Sequence, residues 1–238
     1  MNIKEIKNKN YDIFPVKMKN DCLIKDIKEP LPNNYGFAML LIGQPNSGKT
    51  TLLLNMIQKT KKKNTYYKKF DAVYIFSNSL HTITKNLFIP EKHQFHGIDE
   101  LEETIEKIDL NKDDQTLLIL DDVISDIKNV DYIEKLFFNR RHLGGSISII
   151  LTSQVFNKIS PKIRKCAASI FIFSTSNKQE LESIYRNSVP ILNFKEFIEI
   201  CKYCFKKDNH QFLAINTQTN EFYHNMNKLE FETDEVNI

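Results

Sequence analysis

Unbroken apolar runs at 37–42, 116–120, 146–151 and 169–173 punctuate the chain, each followed by polar residues or glycine. Runs this short and this apolar predict strands buried on both faces, as in a parallel sheet covered by helices. A fifth run, 71–76, leads into Ser77-Asn78-Ser79 and predicts a further strand opening into a loop. The run 37–42 is the expected central strand. Helical spacing appears between the runs, in Leu52, Leu53, Leu54, Met56 and Ile57 of 51–59 and in Leu101, Ile105 and Ile108 of 98–108. The stretches 132–138 and 178–185 are amphipathic in the same way. Strands alternating with helices predict βα units, hence an α/β fold with a mainly parallel sheet. The segment 81–97 shows no period and is expected to be irregular, broken at Pro90.

The last third departs from this rhythm. A helix at 194–205 is followed by apolar 212–215, a polar turn at 216–220 and a second short run at 221–223, which predicts an antiparallel hairpin on the sheet edge. Residues 1–34 are charged, carry Pro15, Pro30 and Pro32, and suit an extended arm or small hairpin. The expected organisation is an arm at 1–35, one domain at 36–226 and a polar, acidic tail at 227–238.

Composition narrows the function class. A length of 238 residues with 41% hydrophobic and 26% charged residues gives one globular core. The net charge of +3 supplies no global basic field, so any nucleic-acid contact must be local. The four cysteines, Cys22, Cys166, Cys201 and Cys204, have no framework spacing, and the amino terminus lacks a signal-peptide core. A reducing compartment is expected, and no apolar run reaches the roughly 20 residues of a membrane span.

The chemistry begins where the central strand ends. Gly43-Gln44-Pro45-Asn46-Ser47-Gly48-Lys49-Thr50 follows it directly and precedes a helix that starts near Thr51. GxxxxGK[ST] between strand and helix is a phosphate-binding loop, the mark of a P-loop NTPase. Its glycines let backbone N–H groups turn inward, the lysine adds charge, and the hydroxyl binds Mg²⁺. The helix dipole adds to the same attraction. Residues 43–51 are therefore the expected ATP contacts. Hydrolysis needs an acid at the end of another strand to hold the ion opposite Thr50, and Asp121 fills that place after Leu117-Leu118-Ile119-Leu120. Asp122 is placed to orient or deprotonate water, or it caps a turn. Gln154, just past the run 146–151, is placed to sense the γ-phosphate or position the water, although glutamine is also a common loop residue.

Arg140 and Arg141 follow the stretch 132–138, where paired cations answer a helix dipole. In a multimer one of them, or Arg164, would serve as an arginine finger, a contribution typically on the order of 10³ to 10⁵ in rate. Three weaker patterns lead elsewhere. Asn111-Lys112-Asp113-Asp114 reads as a polar turn, and Cys201-Lys202-Tyr203-Cys204 as part of a helix without metal. Lys61 to Lys63 with Tyr66, Tyr67, Lys68 and Lys69 suits either a nucleic-acid surface or a solvated helix end.

Taken together, GQPNSGKT at 43–50, LLILDDV at 117–123, NRRHLGG at 139–145, SISIILTSQ at 146–154 and ISPKIRKCAASIFIF at 159–173 resemble one family. It is the DNA-packaging ATPases of poxviruses, other large eukaryotic DNA viruses and virophages, within the FtsK–HerA superfamily. The resemblance implies a RecA-like core and a ring of five or six copies. It also implies ATP-driven, Mg²⁺-dependent movement of double-stranded DNA into a preformed capsid, and so contact with capsid proteins. It further implies a place in the virion or in a viral factory of the host cytoplasm, neither secreted nor membrane-bound. Arg140, Arg141 and Arg164 all remain candidates for the subunit-interface arginine. Two departures touch the sensing chemistry, Asp122 where cellular relatives carry Glu and Cys166 where many relatives carry Asn. The competing readings are a nucleoside or nucleotide kinase and a nucleotide-dependent assembly scaffold with little hydrolysis.

Overall fold

The computed structural model describes residues 22–58, 65–83, 87–108, 113–206, 208 and 210–231. Most of the expected arm, Lys61 to Lys63, Asn111, Lys112 and the end of the tail lie outside the described residues. The described strands form one nine-stranded sheet. Six run parallel, in the order β3 (Gln94–His96), β2 (Ala72–Ser77), β4 (Gln115–Asp121), β5 (Ser146–Ser153), β1 (Ala38–Ile42) and β6 (Ser169–Phe173). The sheet continues antiparallel through β7 (Phe212–Asn216), β8 (Glu221–His224) and β9 (Asn227–Lys228). The strand from 37–42 is central, as its unbroken burial requires, and the hairpin sits on the edge. The sheet runs through Lys228 rather than stopping at the boundary expected at 226.

Alternate residues of each strand feed two separate cores, the period-2 rule applied to a sheet covered on both sides. Leu40, Leu120, Ile149, Leu151, Ile170 and Ile172 face α4 (Val130–Asn139), α5 (Pro161–Lys165), α6 (Lys178–Ser188) and α7 (Phe194–Cys204). Met39, Leu41, Ile119, Ile150 and Phe171 face α1 (Lys49–Ile57) on the other side. One helix does not cover that face, and the chain before β1 together with Tyr66, Ile83 and Ile89 completes it. Residues 22–35 form the hairpin that the prolines suggested, closed by the Leu23–Asn34 bridge. Ile24, Ile27 and Leu31 are buried in the second core. Glu29 ties this hairpin to the far edge by accepting hydrogen bonds from Tyr223 Oη at 2.6 Å and Asn216 Nδ2 at 3.0 Å.

The segment 81–97 is more regular than its pattern suggests. It carries part of α2 (Leu80–Ile83) and the edge strand β3, which pairs with β2 from Ile75–Gln94 to Ser77–His96. Three residues with one apolar side chain cannot show a period. What fixes the strand is Phe95 stacking on Phe76, with ring centroids 4.6 Å apart, a contact distant in sequence. Between β3 and β4 lies α3 (Leu101–Lys107), shorter than the 98–108 periodicity but on the expected face. Cys201 and Cys204 lie on the buried side of α7, where burial pushes both thiols up, Cys204 to about 12. They act there as small hydrophobes. Among the described residues no helix is long and apolar enough to cross a membrane.

Candidate nucleotide site

The helices differ at their amino ends, and of α1 and α3, neither of which has a side-chain cap, only α1 opens on a left-handed glycine. Asn129, Ser160, Asn177 and Asn193 cap α4 to α7 with their side chains. Helix α1 starts instead from Gly48, at φ 99°, with no side-chain cap. Its first-turn N–H groups are left for an anion. The loop from Gly43 to Lys49 enters this helix straight from the central strand, with Asn46 also left-handed at φ 62°. Gly43 is required for another reason. A Cβ there would fall 2.6 Å from Phe173 Cβ and 2.7 Å from Ser47 Oγ. That Ser47 hydroxyl is buried without a hydrogen-bond partner.

Lys49 is 8% exposed and curls back over its own loop, donating to Gly43 O at 2.6 Å and Gln44 O at 3.0 Å. Burial lowers its pKa, and the nearby charges of Asp122 and Asp121 pull it back up. The lysine is thus a desolvated cation held on neutral carbonyls beside two acids. A phosphate would be a stronger partner than either carbonyl.

The acids come from one row across the carboxyl edge of the sheet. Ser77, Asp121 and Thr152 are register partners on β2, β4 and β5. Neighbouring strands lie about 4.8 Å apart, so short side chains in such a row can bond sideways. Asp121, 1% exposed, accepts from Ser77 Oγ at 2.9 Å and Thr152 Oγ1 at 2.8 Å. Strand β5 separates β4 from β1, so its end lies between the acids and the loop. From it Gln154 Nε2 donates to Asp122 Oδ2. Asp122 is left-handed at φ 54°, with its N–H donating to Thr152 Oγ1 at 2.9 Å and its carbonyl accepting from Asn78 Nδ2 at 3.1 Å. Asn78 also reaches Asp126 Oδ2. Residues 43–51, Asp121, Asp122 and Gln154 therefore meet at one edge. Ser77, Asn78 and Thr152 hold the acids in place; the sequence shows them only as polar residues at strand ends.

Arg140 and Arg141 do not share that edge. Arg140 is 7% exposed at the end of α4, donating to Phe137 O and, at 3.2 Å, to Cys166 O, with Nε unpartnered. Burial lowers its pKa. Arg141 is exposed and lies beside Gly36, before the start of β1, at the opposite edge of the sheet from the loop. Arg164 stacks on Phe156 at 4.7 Å and is anchored by Nε on Ile159 O at 2.7 Å. Its terminal nitrogens make longer bonds, 3.3 Å to Ser183 Oγ and 3.4 Å to Asn157 O.

A cavity of about 650 Å³ opens from the loop, lined by residues 46–52, Asn55, Phe173, His210 and Phe212. The unpartnered Ser47 hydroxyl and the uncapped helix end both fit a polyphosphate. The family comparison agrees with the motifs, for the poxvirus A32 protein family matches residues 28–216, more than half of the chain. The chain belongs to that family. It is 25% identical over 195 residues to uncharacterized protein 075L of Invertebrate iridescent virus 6, covering 75% of this chain and 70% of the viral protein. Two solved structures share the fold. The DNA-packaging ATPase B204 of Sulfolobus turreted icosahedral virus superposes with a TM-score of 0.56 at 17% identity, covering 81% of this chain and 98% of B204. The genome-packaging NTPase B204 of Sulfolobus turreted icosahedral virus 2, in complex with ATP-gammaS, gives 0.51 at 19% identity over the same shares.

Thr152 offers a local test of this arrangement. One hydroxyl donates to the Asp121 carboxylate and accepts from the Asp122 N–H, so Thr152→Val leaves two groups unpaired. Each such loss costs about 1–3 kcal/mol when buried. The expected result is a drop in stability of that order together with a roughly tenfold fall in kcat, of the size of a transition-state interaction worth about 1.4 kcal/mol. Thr152→Ser should retain both. Denaturant unfolding and steady-state NTP turnover measure the pair, and a valine variant indistinguishable from the serine one would refute the role.

Proposed function

We propose that this chain is an ATP-hydrolysing motor that moves double-stranded DNA into a viral capsid, working as a ring of identical subunits. The observation that carries the reading is the convergence of Lys49, Asp121, Asp122 and Gln154 at one sheet edge. Family membership, and a shared fold with packaging NTPases solved with nucleotide, support the packaging assignment. Thr50 and Asp121 are the residues that would hold Mg²⁺, which when bound neutralises charge on the phosphate oxygens.

In this mechanism the loop N–H groups and the start of α1 bind the phosphates, and the Lys49 ammonium exchanges its carbonyl partners for phosphate oxygens. Asp122 accepts a proton from water as the water oxygen bonds to the γ-phosphorus. The bond from that phosphorus to the bridging oxygen breaks, and ADP leaves with its electrons. Gln154, which holds the Asp122 carboxylate through an exposed amide, is the group positioned to report γ-phosphate loss. For the subunit-interface arginine we favour Arg164. Its guanidinium is oriented by Phe156 and Ile159 O yet held only by long bonds at its tips. The burial of Arg140 supports a role inside the fold.

Mixing variants tests the ring. Lys49→Ala and Arg164→Ala proteins should each be inactive alone and, when mixed, should regain turnover stimulated by duplex DNA, because some interfaces join an intact loop to an intact arginine. A kinase would transfer phosphate to a nucleoside or nucleotide acceptor without DNA, and a scaffold would turn over little under any condition. Full activity of Arg164→Ala alone would remove that residue from the shared site.

A further inference from the structure

The cavity is larger than the phosphates of the proposed reading require, and its far part is built by the hairpin that breaks the βα rhythm. Because β7 is antiparallel to β6, its first residue returns to the carboxyl edge, where Phe212 pairs with Phe173 in register. The chain just before it therefore arrives over the phosphate loop. A Cβ built at Gly48 would lie 3.4 Å from His210 Nδ1 and 3.5 Å from Phe173 Cε1. Phe173 and Phe212 are buried, with ring centroids 5.4 Å apart, and form an apolar floor. His210 is exposed above it, with its backbone N–H donating to Asp208 Oδ1 at 2.6 Å. Across the cavity Asn55 donates Nδ2 to Thr51 O at 2.8 Å. Asn55 thereby brings a side-chain amide to the cavity lining.

An exposed flat ring, an apolar floor and one side-chain amide match a nucleobase, which offers π-faces and a polar edge. We infer that the space between His210 and the outer side of α1 is the base-binding part of the nucleotide site, with the base stacked on His210. The antiparallel hairpin then does more than close the sheet, since it delivers the surface that distinguishes a nucleotide from bare polyphosphate. This inference rests on the reading that the loop at 43–50 holds phosphates.

The test compares ATP with inorganic tripolyphosphate, which lacks base and sugar, as ligands of the full chain. His210→Ala should weaken ATP binding roughly tenfold, within the range for loss of one stacked base, and leave tripolyphosphate binding unchanged. His210→Phe, which keeps a stacking face, should restore ATP binding. In turnover the alanine variant should raise KM with kcat preserved, as expected for a contact equal in ground and transition states. Unchanged ATP affinity in His210→Ala overturns the inference. So does an equal loss for both ligands, which would mean that His210 acts on the loop. If the wild-type chain binds neither ligand, the phosphate reading fails and this inference fails with it.

Discussion

Lys49→Ala should abolish nucleotide-dependent turnover, by at least about 10² to 10³, the effect of deleting one preorganised charge stabiliser from a dry site. Lys49 is the cation closest to where the phosphates must lie, and its ammonium is already desolvated, resting on Gly43 O and Gln44 O beside the two acids. Those acids make the loss severe, because without the lysine a polyanion would have to approach Asp121 and Asp122 with one positive charge fewer beside it. The fold should survive, since the side chain bonds only to its own loop. Lys49→Arg should not rescue, because a planar guanidinium cannot take the place of a compact ammonium in so narrow a turn. Turnover, ATP binding and the unfolding midpoint, measured on the same samples, separate these outcomes. Normal turnover in Lys49→Ala would sink the functional reading as a whole.

That loop was the most legible part of the chain, because its function is written in contiguous residues. Asp121 was nearly as plain, following an unbroken apolar run whose end must lie at the carboxyl edge of a parallel sheet; Gln154 had the same placement but also read as an ordinary loop residue. The supporting row was hidden. Ser77 and Thr152 become partners of Asp121 only through the strand order β2-β4-β5, and pairing order is set by contacts far apart in sequence. His210 was hidden for a similar reason, since it lies in a polar turn and reaches Gly48 only because β7 runs antiparallel. The strand β3 is too short to show a period, and the amino-terminal hairpin looked like an appendage because its buried residues, Ile24, Ile27 and Leu31, are few and set among charged residues and the prolines Pro30 and Pro32. The arginines were legible as a motif but not as a geometry, and burial now separates Arg140 from Arg164 where sequence alone treated them alike.

Asp122→Asn should bind ATP about as well as the parent and lose hydrolysis by roughly 10² to 10⁴, the usual contribution of a general base. The backbone makes this substitution unusually clean. Asp122 sits at φ 54°, a region that Asn and Asp enter more readily than other residues with a side chain. Asparagine therefore keeps the turn, its N–H can still donate to Thr152 Oγ1, and its amide oxygen can still accept from Gln154 Nε2. What disappears is the negative charge and the basicity. The same conformation favours Asp over Glu at this position, because the longer side chain gains nothing from local hydrogen bonding in a left-handed turn. Asp122→Glu should accordingly restore only part of the rate, despite keeping the carboxylate. Single-turnover hydrolysis alongside equilibrium ATP binding distinguishes the cases. Loss of binding in Asp122→Asn would make Asp122 a structural residue, and undiminished turnover would take it out of the mechanism and leave Gln154 to position the water alone.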